Sequence, residues 1–206
     1  MRLSVNPTRM ELLRLRKRLQ LARRGHKLLK DKQDELMKRF MGLVGQIKEL
    51  RLSVEEELEQ AWRRFLVAGS AGGREVVETA VSVPTRKTYV EVGKEQIMNV
   101  VVPVFGLKTE GKLASYGLAT TPAELDTALT AMEKVLGRMV ELASKEKALE
   151  LIGDEIEKTR RRVNALEYTL IPNLEETIRY ISMKLSEMER GNLTRLMRVK
   201  EIVREH

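Results

Sequence analysis

Between Leu12 and Val54 the side chains return every seven residues in two interleaved rows, and this repeat leaves few folds open. One row is Leu12, Leu19, His26, Gln33, Phe40, Ile47 and Val54; the other is Leu15, Ala22, Leu29, Leu36, Leu43 and Leu50. A spacing of 3.5 residues held over several heptads keeps one stripe facing a partner helix and implies left-handed supercoiling. The far end of the chain supplies a matching stripe: Leu149, Ile152, Ile156, Val163, Leu166 and Leu170, continued by Leu174, Ile178, Ile181, Leu185 and Met188. Two facing stripes in one chain favour a helical hairpin, because the covalent connection raises the effective concentration of each for the other. A chain that commits most of its length to one such pairing is expected to be mechanical or scaffolding, not catalytic.

Composition agrees. Of 206 residues only 4% are aromatic and 33% are charged, so the core expected is a narrow seam of Leu, Ile and Met. The absence of cysteine excludes disulfides and thiolate metal sites. Met1 to Asn6 is too short and too polar for a signal peptide, and no run of 18 apolar residues occurs, so direct membrane insertion is not expected. The net charge is +8, but its distribution matters more: residues 1–32 hold eleven Lys or Arg against Glu11 and Asp31, a local excess of nine. Such an end favours an acidic surface on nucleic acid, lipid or protein.

The pattern predicts a mainly α fold of two long antiparallel coiled-coil helices with a short middle segment containing a β-hairpin. The boundaries are 1–66 for the first helix, 67–121 for the middle and 122–206 for the second helix, within one elongated domain. Thr8-Arg9-Met10-Glu11 fits a capping box at the first start, and Thr121-Pro122-Ala123-Glu124 fits one at the second. After Val54 the stripe is expected to shift to Leu58, Trp62 and Phe65, with Gly69, Gly72 and Gly73 ending the helix. In the middle, Val76, Val77, Val81, Val83, Tyr89, Val90 and Val92 are β-formers, and Gly93-Lys94-Glu95-Gln96 has the composition of a hairpin loop. Pro84 and Pro103 suggest edge strands or breaks. Pro172 interrupts the second helix at a cost of roughly 3 kcal/mol, and because the stripe resumes at Leu174 it is read as a kink.

Chemical motifs are sparse. Gly106-Leu107-Lys108-Thr109-Glu110-Gly111-Lys112 imitates the spacing of a phosphate loop, but Leu113 stands where a Ser or Thr would bind magnesium, and no helical pattern follows. His26 falls on the seam, where a polar residue sets register, with Gln33 one heptad on. No catalytic residues, cofactor or metal site are assigned. The basic residues proposed to bind a partner are Arg9, Arg14, Arg16, Lys17, Arg18, Arg23 and Arg24, with Arg195, Arg198 and Lys200 from the far end.

The run from Asn6-Pro7-Thr8-Arg9-Met10-Glu11, with Ala22-Arg23-Arg24-Gly25-His26-Lys27-Leu28-Leu29, resembles the start of the D subunit of the V-type and archaeal A-type ATPases. Arg161-Arg162-Val163-Asn164-Ala165-Leu166-Glu167-Tyr168, followed by Ile171-Pro172-Asn173-Leu174-Glu175-Glu176-Thr177, resembles that family's second signature. The resemblance covers residues 6–66 and about 155–200. It implies a non-catalytic central rotor shaft, without cofactor, cytoplasmic and peripheral to the membrane. Its partners would be the ring of alternating A and B subunits, the F subunit and the funnel-shaped rotor subunit above the membrane ring, which together couple ATP hydrolysis or synthesis to proton or sodium translocation. The competing readings are a prefoldin-like chaperone and a nucleic-acid-binding coiled coil; the resemblance itself implies no nucleic acid.

Overall fold

The computed structural model describes residues 5–113, 115–117 and 121–205; Arg2 and His206 lie outside them. Helix α1 spans Arg9–Gly72 and a short α2 spans Arg74–Ser82. An antiparallel hairpin of β1 (Lys87–Ile97) and β2 (Val100–Glu110) follows, then α3 (Glu124–Asn164), a π-helical turn (Ala165–Leu170) and α4 (Ile171–Glu205). The chain is mainly α, with long helices toward both ends and a β-hairpin between them, as its pattern predicts. It divides into two compact units, one of Met1–Glu35 with Ile156–His206 and one of Leu36–Glu155.

In the first unit α1 starts where the sequence places it, the Thr8 hydroxyl accepting the Glu11 backbone N–H at 3.2 Å. Leu15 and Ala22 bury against Leu174 and Ile181, flanked by Leu12, Leu19, Ile178 and Leu185. The pairing is antiparallel: Arg9, Arg23 and His26 meet Glu189, Glu175 and Glu167 in descending order. Burying a Leu or Ile side chain fully stabilises by roughly 1.5–3 kcal/mol, which makes this narrow seam the main term holding the unit together.

The helix does not end at Pro172. The proline ring would collide with the carbonyl four residues back and has no N–H to offer it. A π-helical turn immediately upstream accommodates this, with the Ile171 N–H donating to the Leu166 carbonyl five residues earlier. The buried row steps by eleven residues from Val163 to Leu174 and then by seven to Ile181, so the slip in the heptad frame falls across the π turn.

In the second unit the buried row on α1 is Ile47, Val54, Ala61 and Ala68, seven residues apart each time, after a step of eleven from Leu36. The step of eleven passes from one row of the heptad to the other within a single frame, and the buried row runs on through Val54 to Ala61 and Ala68, so the shift onto Trp62 expected after Val54 is corrected. Leu58 and Phe65 do pack against the seam, but Trp62 is 52% exposed and Ala61 holds the buried place beside Val54 and Val135. Alanine carries too little apolar surface to stand out in a sequence, yet it lets two helices approach closely.

The first helix also outruns its expected end. It passes Leu66 and Gly69 to Gly72, where a Cβ would meet Pro122 at 2.7 Å, and it breaks at Gly73, whose φ is +82°. Val76, Val77 and Val81 then lie in α2 and not in a strand, since Val77 buries against Ala68 and Leu125. Packing of this kind outweighs the few tenths of a kcal/mol by which valine disfavours a helix. At the second start Thr121 is not the cap foreseen: its hydroxyl donates to the Gly117 carbonyl, while the Pro122 and Ala123 carbonyls open α3.

Gly93, Lys94, Glu95 and Gln96, read as the loop, lie inside β1, and the turn is Met98-Asn99. Both turn residues have positive φ, 47° and 69°, as a two-residue hairpin twisted to match its strands requires. Pro103 sits opposite Lys94 in β2, tolerated because every strand of a two-stranded sheet has a free edge. The Phe105 N–H donates to Ser144 Oγ of α3 at 2.7 Å, which pins β2 to the helix. The phosphate-loop mimic is the second half of β2 and its end, with no helix starting at Lys112.

Gly111 closes the base of the hairpin. Its φ is +98°, and a Cβ there would meet the Thr85 carbonyl oxygen at 2.6 Å. Gly111→Ala is expected to destabilise the second unit by about 1–3 kcal/mol, read as a lower unfolding midpoint in urea. Nearby, Tyr116 donates its hydroxyl to Asp126, and burial first, then that carboxylate, pushes its pKa up to about 12 from an ordinary 10.0. A folded-state pKa above the unfolded one gives stability that is intact below pH 10 and lost as pH rises toward 12. Tyr116→Phe should flatten that alkaline loss in pH-dependent urea melts; an unchanged slope would assign it to other groups.

Candidate partner-binding surface

The surface follows from where the seam stops. From Ser186 to Arg204 every residue of α4 is exposed, whereas Ile181 is buried and Leu185 half-buried. Glu189, which pairs with Arg9 at the first turn of α1, stands at the limit of that pairing. Beyond it α4 continues as a helix whose apolar side chains face water: Leu193, Leu196, Met197, Val199, Ile202 and Val203 are 54–70% exposed. Arg195, Arg198 and Lys200 are exposed among them.

On α1, Arg14, Arg16, Lys17, Arg18 and Arg24 are exposed, as the heptad frame requires of residues off the seam. Two of the basic candidates are tied within the unit: Arg9 to Glu189, and Arg23 to Glu175 at 2.6 Å. Arg14 approaches Glu11 at 3.8 Å along its own helix. Exposed pairs of this kind contribute roughly 0–1 kcal/mol, but they neutralise charge that the sequence counts as available. Exposed Leu13, Leu21 and Leu28 share α1 with the cations. The surface is therefore mixed, basic and apolar.

Among the seam residues, Leu36, Ile47, Ile156, Val163 and Ile181 are buried. Leu19, Leu29, Phe40, Leu166, Leu170, Ile178 and Leu185 are half-buried. His26 reaches Glu167 across the pairing, Nε2 to Oε2 at 3.4 Å. Buried Thr159 and Thr177 were missed; Thr177 satisfies its hydroxyl on the Asn173 carbonyl at 2.6 Å. The exposed apolar residues of terminal α4 were also missed. Their place follows from the pairing in the structure: α1 begins at Arg9 opposite Glu189, so among the described residues no helix pairs with α4 beyond Glu189.

Among the described residues no group of three or more His, Cys, Asp or Glu could hold a metal ion, and no helix is long and apolar enough to cross a membrane. The arrangement offers helical surface and charge for contact with other proteins.

A family model for the D subunit of ATP synthase matches residues 11–201. The chain is 54% identical over 210 residues to the V-type ATP synthase D subunit of Clostridium botulinum strain Langeland, covering 100% of this chain and 97% of the relative. It is 56% identical over 205 residues to that of Acetivibrio thermocellus, covering 98% and 92%, and 55% identical over 201 residues to that of Thermoanaerobacter sp. strain X514, covering 97% and 96%.

Proposed function

We infer, since this chain belongs to the family of ATP synthase D subunits, that it is the central-stalk subunit of a rotary V/A-type ATPase. It works within a complex of other ATPase subunits and couples ATP hydrolysis or synthesis in a catalytic ring to proton or sodium translocation. The observation that carries this reading is likeness over the whole length to proteins of that name. Neither the chaperone nor the nucleic-acid reading has comparable support.

In this reading the chain supplies no catalytic group. It occupies the axis of a ring of alternating A and B subunits, with the F subunit and the funnel-shaped rotor subunit attached to it, peripheral to the membrane. A single asymmetric shaft cannot touch three equivalent sites equally, so at any angle each site is biased toward a different state. Arg14, Arg16, Lys17, Arg18 and Arg24, with Arg195, Arg198 and Lys200, serve as the bearing, together with the exposed apolar residues of terminal α4. Exchangeable ion pairs hold the shaft without locking its angle.

The test uses the lack of cysteine. Lys94→Cys on the exposed strand β1 gives one attachment point for a bead in a surface-held complex. ATP should drive rotation in one direction; a stationary bead on complexes that continue to hydrolyse ATP would overturn the reading. Pro172→Ala restores an N–H at the π turn and removes the ring that the turn accommodates. It is expected to lower coupling, measured as ions moved per ATP, more than it lowers stability. A higher melting temperature with normal coupling would remove Pro172 from the mechanism.

A further inference from the structure

We propose that a groove in the second unit binds an acidic segment of a neighbouring subunit through Arg64 of α1 and Lys134 of α3. This rests on the reading of the chain as one subunit of a larger complex. The groove has a volume of about 760 Å³ and runs between the two helices. Its floor is apolar, formed by Ala131 and by Val135, which is 2% exposed. Its walls are polar, with Gln60, Thr127 and Thr130 beside the two cations.

The charges that line it are unevenly committed. Glu57 is taken by Arg138, and Asp126 accepts the Tyr116 hydroxyl. Arg64 and Lys134 are exposed, and among the described residues neither has an acidic partner. The groove therefore presents two uncommitted cations from opposite walls over an apolar floor. That arrangement complements a peptide carrying carboxylates and a small apolar side chain. An inorganic anion or a phosphate backbone would leave the apolar floor of Ala131 and Val135 uncovered, whereas a peptide can cover it while its carboxylates meet the two cations. A partner lying over the groove would also desolvate both cations, which strengthens each ion pair relative to an exposed one.

The experiment uses the assembled complex. A photoreactive benzoyl-phenylalanine replaces Gln60, which leaves both cations in place, and the cross-linked peptide is identified by mass spectrometry. The expected product joins the chain to one neighbouring subunit at a segment containing Asp or Glu. Arg64→Glu with Lys134→Glu should lower that yield at least about tenfold, equivalent to 1.4 kcal/mol. Reversing the partner's acids to Lys should restore it. Because both cations are exposed, circular dichroism should show unchanged helix content, and the neutral pair Arg64→Gln with Lys134→Gln should give an intermediate yield. An assembled complex with no cross-link, a cross-link to a segment without acids, or a yield indifferent to charge reversal would overturn the groove assignment and leave the stalk reading standing. Failure of the unmodified chain to assemble with A and B subunits would overturn the stalk reading itself.

Discussion

Leu174→Ala is expected to destabilise the chain by roughly 2–5 kcal/mol, the range for emptying a fully buried leucine site. Leu174 is 0% exposed and belongs to one buried cluster with Leu15, Ala22 and Ile181, so the space it leaves would open inside that cluster. Helices held by a narrow seam have little second-layer packing to collapse into such a space. The informative comparison is Leu193→Ala, the same chemistry on a residue 58% exposed. On the isolated chain that change should stay within about 0.5 kcal/mol. In the complex the order should reverse in kind: Leu193→Ala weakens attachment to the ring while Leu174→Ala weakens the chain. Urea unfolding of the isolated chain measures the first effect, and retention of the chain on an A/B hexamer measures the second. Equal destabilisation by both would mean that terminal α4 is buried within the chain itself.

Neutralising the bearing is expected to act on binding and to spare folding. Arg16→Gln, Lys17→Gln and Arg18→Gln, combined with Arg195→Gln, Arg198→Gln and Lys200→Gln, remove six exposed cations, none of them in an ion pair among the described residues. Stability should hardly change, since exposed charges away from partners contribute little. Affinity for the ring should fall at least about tenfold, or 1.4 kcal/mol, and the fall should shrink as added salt screens the unmodified protein. ATP hydrolysis and ion movement should separate accordingly. Unchanged ring affinity, ATPase rate and coupling would end the bearing assignment. Arg9→Gln and Arg23→Gln form the contrast, because their charge is already spent on Glu189 and Glu175.

Much of the fold is legible in the sequence because a seam repeats. Leu15, Ala22, Leu36 and Ile47 announce themselves by spacing alone, and Thr8 announces the start of α1 by its capping oxygen. What escapes is set by tertiary contact. Ala61, seven residues after Val54, takes the buried place in the seam while the larger Trp62 stays exposed. Val77 is helical because Ala68 and Leu125 cover it. The hairpin turn falls at Met98-Asn99, a pair without the glycine that usually betrays positive φ. The candidate surface was half legible: composition shows where cations cluster, but only folded geometry shows that Arg9 and Arg23 are engaged and that, among the described residues, no helix covers Leu193 to Val203. Arg64 and Lys134 lie seventy positions apart, and no spacing rule brings them to one groove.

Stoichiometry decides whether the chain is a shaft. Light scattering of the purified full chain with an isolated A/B catalytic hexamer, at physiological salt and with duplex DNA as competitor, reads it in one experiment. One chain per hexamer, undisturbed by DNA, is the expected result. No complex with the hexamer, with salt-sensitive binding to the DNA instead, would contradict the stalk assignment.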